Sequence, residues 1–142
     1  MSLGQRSRLG NVGLLVACTA VLAVARWLEP AAAGHGTHRA LGLPPCTFFS
    51  LTGRPCPMCG ATTTFALLAE GRVVEGVVNQ PFAALLFLLV VGVAGVAGAE
   101  VVAPRARWDR IDALVAGREG WLAGATLAMM VASWAWKLVF LM

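Results

Sequence analysis

The sequence predicts an all-α integral membrane protein, with three transmembrane helices and one or two short interfacial helices that follow a cysteine-rich loop. Three observations predict it. Hydrophobic residues make up 58% of the chain and charged residues only 13%, a balance outside the range of soluble domains. The apolar residues are gathered into three runs of membrane-span length instead of recurring at the spacing of one amphipathic face. The basic residues sit in or beside the gaps between those runs, as membrane flanks do. A net charge of +4 therefore does not point to nucleic acid, and no basic patch is interleaved with aromatics. Seven acidic residues, scattered singly, exclude the dense carboxylate cluster of a hydrolase or polymerase.

Residues 1–10 read as a cytoplasmic tail with Arg6 and Arg8. Residues 11–28 are the first span, whose only polar members before Arg26 are Asn11, Cys18 and Thr19; eighteen residues of helix measure roughly 27 Å. A cleaved leader would share the basic start and the small-residue sites at 23–25 and 31–33. The full span length, ending in Arg26 and the interfacial type Trp27, favours an anchor that is retained.

Residues 29–61 form a Pro/Gly/Cys loop with no regular strand or helix expected. Residues 62–80 carry the short interfacial helices. Thr62, Thr63 or Thr64 caps the first, and Glu70 and Gly71 end it; at about nine residues, roughly 14 Å, it cannot cross a bilayer. Val73 to Asn79 forms the second, with Val73, Val74, Val77 and Val78 opposite Arg72 and Glu75. Pro81 suits the first turn of the next helix.

Residues 81–103 are the second span, with Glu100 as its one charge. Ala94/Gly98 and Gly95/Ala99 make small-residue pairs that let helices approach closely, within the protein or in a homodimer or complex with a membrane-protein partner. Residues 104–120, with Arg105, Arg107, Arg110 and Arg118 against Asp109, Asp112 and Glu119, make a solvated connection with or without a surface helix. Residues 121–142 are the third span. All five tryptophans lie near the expected interfaces as an aromatic belt, and Lys137 is close enough to the end to snorkel. The arginines of the tail and of 104–120 favour a cytoplasmic N-terminus. The cysteine loop then faces the oxidising side.

Within that loop Cys46, Cys56 and Cys59 stand in a C-x9-C-x2-C arrangement among prolines and glycines that make a tight, bent segment. A C-x-x-C ahead of a helix favours the thiolate, which binds metal, attacks disulfides and oxidises. Three chemistries follow. The first is a structural clip, non-enzymatic, as a disulfide or a metal site. The second is redox, with Cys56 attacking, Cys59 resolving and Cys46 exchanging with them. The third is soft-metal handling of zinc or copper by Cys46, Cys56 and Cys59, with His35 or His38 as fourth ligand and Met58 as a thioether neighbour. The structural clip is the preferred reading, and no catalytic residue is assigned outside the redox alternative.

Leu43-Pro44, Cys46, Leu51-Thr52-Gly53, Cys56-Pro57-Met58-Cys59-Gly60, Thr62, Gly71 and Pro81 together resemble a family of small bacterial integral-membrane proteins of unknown function, marked by a C-P-x-C-G-x-T-R motif after a further cysteine. The resemblance covers roughly residues 43–98 and maps the motif onto Cys46, Thr52, Gly53, Cys56, Pro57, Cys59, Gly60 and Thr62. Thr63 stands where arginine is frequent, and Asn79 is separated from Pro81 by Gln80. The resemblance implies a multi-pass protein of the bacterial inner membrane and brings no activity with it.

Overall fold

A computed structural model describes residues 8–140. The tail residues 1–7, with Arg6, and the last two residues of the third span lie outside it. Among the described residues every regular element is helical: α1 Arg8–Trp27, a 3-10 turn Thr37–Leu41, α2 Thr47–Thr52, α3 Ala61–Ala69, α4 Val73–Asn79, α5 Pro81–Val102, α6 Arg107–Val115 and α7 Glu119–Phe140. Three of these, α1, α5 and α7, are long and apolar enough to cross a membrane. The fold class read from the sequence is the fold class observed.

The principal packing is α1 on α5, with α3 wedged against both and α4 folded back on α3. Small residues make these approaches possible: Ala25, Ala66, Ala83, Ala84 and Ala97 are buried, and Gly98 faces Leu15 of α1 across a gap that a Cβ would just fill. Gly92 and Gly95 have open space beside them. The α3–α4 turn is a Schellman motif, in which the Arg72 amide donates to the Leu67 carbonyl and the Gly71 amide to that of Leu68. Gly71 supplies the left-handed conformation, φ 85°, that this cap requires.

Two features differ from the sequence reading. Residues 29–61 are not devoid of helix, since the 3-10 turn and α2 both lie there; α2 is six residues closed by Gly53 at φ 67°, too short to show a periodic pattern. The threonines do not cap α3, which begins at Ala61 behind Gly60 at φ 89°. Thr63 and Thr64 are instead inside the helix, fully buried, and their hydroxyls serve tertiary contacts. Thr63 Oγ1 shares a hydrogen bond with Thr37 Oγ1 at 2.8 Å, and Thr37 Oγ1 accepts from the Ala31 amide. Thr63→Val is expected to cost about 1–2 kcal/mol by orphaning that contact, seen as a lowered thermal midpoint in detergent with the helix content unchanged.

The charged end of the molecule is tied together by one long-range contact and one local cluster. Trp108 Nε1 donates to Asn11 Oδ1 at 2.9 Å, joining α6 to the start of α1. Glu100 receives the Arg107 guanidinium at 2.9 Å together with the Arg105 and Arg107 amides. Trp108 is thus a structural donor as well as an interfacial ring, whereas Trp27 and Trp121 stay exposed as a belt requires.

Candidate functional site

The opposite end holds the cysteines. Its frame is a buried polar network, which forms because backbone carbonyls of a Pro/Gly loop have no ladder partners of their own and must find donors elsewhere. α7 and the end of α4 supply them. Lys137 Nζ donates to the Gly34 carbonyl at 3.0 Å, to Asn79 Oδ1 at 3.2 Å and to the Asn79 carbonyl at 3.5 Å. Trp134 Nε1 donates to Pro55 O at 2.8 Å and Trp136 Nε1 to Val78 O at 3.0 Å. The Phe82 amide, left free by the first turn of α5, donates to Ser133 Oγ at 3.2 Å. Asn79 Nδ2 donates to Thr64 Oγ1 and to Gly60 O, and Gln80 Nε2 to Pro57 O at 2.6 Å.

Lys137 therefore does not snorkel. It is 4% exposed, and an ammonium has three protons to give and receives three oxygens here. Those oxygens are neutral. The charge neighbours of Lys137 are the thiols of Cys59 and Cys56.

Within this frame Cys46, Cys56 and Cys59 converge on one small cavity of about 170 Å³, together with His38 and Met58. Cys56 is the side-chain neighbour of both other thiols. None of the four cysteines is in a disulfide, and Cys18 lies apart, inside α1. A wider cleft of about 580 Å³ shares Cys46, Cys59 and His38 with the cavity and carries His35, Arg39 and Phe49 on its other walls. His35 belongs to this outer cleft. Its ring lies 5.0 Å from that of Phe49 and its Nδ1 donates to Ala33 O; His38 Nε2 donates to Pro44 O at 3.2 Å. Among the described residues no group of three or more His, Cys, Asp or Glu side chains is arranged to hold a metal ion.

The thiols differ in acidity for local reasons. Cys46 is the N-cap residue of α2, and the Phe49 amide, helped by the Cys56 thiol and the Phe48 amide, holds its pKa below the ordinary thiol value. Burial pushes Cys56 up. Burial also raises Cys59, with the Lys137 charge pulling the other way. The order differs from the sequence reading, which gave the activated role to Cys56. A helix does begin directly behind the C-x-x-C pair, at Ala61, but burial outweighs the pull of the Met58 amide on Cys56, whereas at Cys46 the Phe49 amide of the short α2 prevails.

The residues that sequence reasoning missed are Lys137, Asn79, Gln80, Thr63, Thr64 and Trp134. One signal was present. Ser133 and Lys137 are the buried residues of α7 and stand four apart, a polar pair on one face of an apolar helix. An ionisable residue in such a place is by default a functional one.

No curated protein and no solved structure matches the chain. Residues 46–94, from the first cysteine of the loop into α5, match the model of a family described as a protein of unknown function (DUF2752).

Proposed function

We propose that this protein is a membrane thiol–disulfide exchange protein whose working sulfurs are Cys46, Cys56 and Cys59. One observation carries the reading: three thiols share a single small cavity with Cys56 neighbouring both others, and Cys46 also borders an outer cleft wide enough to admit a peptide side chain. The loop itself is held by Lys137, Trp134, Asn79 and Gln80, so a covalent or metal clip is not needed to fix it. That weakens the purely structural role. With the N-terminus in the cytoplasm, the cleft opens on the oxidising side of the inner membrane, where clients with disulfides are found.

The exchange runs as follows. The Cys46 thiolate attacks one sulfur of a client disulfide, forming a mixed disulfide and releasing the other client sulfur as a thiolate. Cys56 gives up its proton and attacks Cys46, forming the Cys46–Cys56 disulfide and freeing the second client sulfur. Two electrons pass from the protein dithiol to the client, and the reverse sequence oxidises a client dithiol. Cys59, beside Cys56, can take over the disulfide from Cys46.

The test is alkylation of the reduced protein with iodoacetamide across pH, read residue by residue by mass spectrometry. Cys46 is expected to react with a midpoint below the ordinary thiol value, and Cys56 and Cys59 above it. A Cys56→Ser variant is expected to accumulate a mixed disulfide at Cys46, because the resolving thiol is gone. A Cys46 midpoint at or above the ordinary thiol value, with no trapped client, defeats the reading. The zinc or copper alternative rests on Met58 and His38 sharing the thiol cavity, and elemental analysis of the same sample tests it; one metal per chain would displace the exchange reading.

A further inference from the structure

The thiol cavity has a second neighbour. A groove of about 480 Å³ runs between α1, α3 and α5, with Val21 and Val24, Phe65 and Leu86 among its walls, and it shares Met58 and Thr62 with the cavity of the three cysteines. Val21 and Val24 lie in the span-forming helix α1 and are 46% and 40% exposed, so the groove opens towards the membrane interior. The thiols thus sit between a polar cleft bearing Arg39 on one side and an apolar groove on the other.

The geometry points to a membrane-dissolved quinone as the electron acceptor for these thiols, entering along the α1–α3–α5 groove and reaching Cys56 and Cys59 past Met58 and Thr62. This inference rests on the exchange reading of the same site. The lining of the groove selects the occupant. It contains no charged side chain, and its polar contributions at the cysteine end are one hydroxyl, from Thr62, and one thioether, from Met58. An acyl chain would fill such walls equally well but accepts no electrons from the thiols beyond Met58 and Thr62, and a charged headgroup lodged at that end would be left unpaired, at a high desolvation cost. A neutral, redox-active head on an apolar tail meets no such penalty. A quinone is neutral, carries its reactive ring next to an apolar tail, and accepts the two electrons that a dithiol gives up.

The step balances. Cys56 and Cys59 lose two electrons and two protons to become a disulfide, and the quinone takes up both to become the hydroquinone. The Cys46 thiolate then attacks Cys56, releasing Cys59 as a thiol and forming the Cys46–Cys56 disulfide. A client dithiol in the outer cleft is oxidised by that disulfide, which restores Cys46 and Cys56 as thiols. The net reaction is client dithiol plus quinone giving client disulfide plus hydroquinone.

The experiment uses the reduced full-length protein in detergent without oxygen. The probe is a benzoquinone substituted at every ring carbon, so that thiols cannot add to it, with a single isoprene tail. Expected are about one hydroquinone per chain, followed by its absorbance, and a Cys56–Cys59 disulfide by mass spectrometry. Val24→Trp, which fills the groove, is expected to slow this about tenfold. In both proteins, exchange of Cys46 with a water-soluble disulfide monitors the thiol site separately. No quinone reduction with that exchange intact overturns the inference and leaves the exchange reading standing. Unslowed reduction by Val24→Trp overturns entry through the groove. Absence of exchange at Cys46 in the wild-type protein defeats the earlier reading, and this inference with it.

Discussion

Lys137→Met is expected to lose about 3 kcal/mol of stability and to make Cys59 a weaker acid. The change keeps length and apolar bulk but removes all three donors at once, leaving the Gly34 carbonyl and both oxygens of Asn79 without a partner. Each orphaned buried acceptor costs on the order of 1 kcal/mol or more. The sign for Cys59 follows from its surroundings. Burial raises its pKa and the Lys137 charge partly offsets that rise, so without the charge the thiolate forms only at still higher pH. The alkylation curve of Cys59 should therefore move to higher pH while that of Cys46, governed by the Phe49 amide, stays in place. A curve for Cys59 that does not move would show that the lysine holds the loop without acting on the thiol. Lys137→Arg should not restore the wild type, because a planar guanidinium cannot aim its donors at oxygens grouped around a single nitrogen.

The second large effect is expected at Gly60. Its φ of 89° is open to glycine and strained for any other residue. A Cβ built there would also collide with Lys137 Nζ and the Gly34 carbonyl oxygen and press on Asn79 Nδ2 at 3.1 Å. Gly60→Ala should thus cost the left-handed strain of about 1–2 kcal/mol and break the lysine contact as well. The outcome to look for is loss of monodisperse protein in detergent. Gly53→Ala is the matched control. Gly53 also has a positive φ, 67°, but a Cβ there would meet nothing within 4 Å, so only the strain remains and a folded protein with a modestly lower thermal midpoint is expected. Equal behaviour of the two variants would mean that the conformation alone, and not the closeness of the lysine, makes the glycine necessary.

What could be read in the sequence was decided by range. The spans were legible because an apolar run announces itself locally, and the Glu70-Gly71 stop and the Pro81 start depend on neighbouring residues only. The C-x9-C-x2-C spacing identified the thiols for the same reason. The pairing with Ser133 marked Lys137, but its partners were not legible, because they stand 103 and 58 positions away and nothing near it in sequence names them. The order of thiol acidity was lost differently. Cys46 owes its position to a helix of six residues after Pro44-Pro45, and Thr47 to Thr52 gives no period long enough to predict one. The threonines failed by competition between roles. A hydroxyl near a helix start suits a cap, but Gly60 took that position through its backbone, which freed Thr63 and Thr64 to enter the core.

The late position of α7 in the chain has a consequence for the order of events during synthesis. Ser133, Trp134, Trp136 and Lys137 are made after all three loop cysteines, and through most of its length α7 touches little else, Ser133 and Lys137 being its buried residues. A nascent chain that has already inserted α1 and α5 carries Cys46, Cys56 and Cys59 in a loop whose Gly34 and Pro55 carbonyls still lack their donors. The cysteine loop cannot complete its polar frame before α7 has been made. Docking of that helix is the step that seats Lys137 and Trp134 on the loop carbonyls.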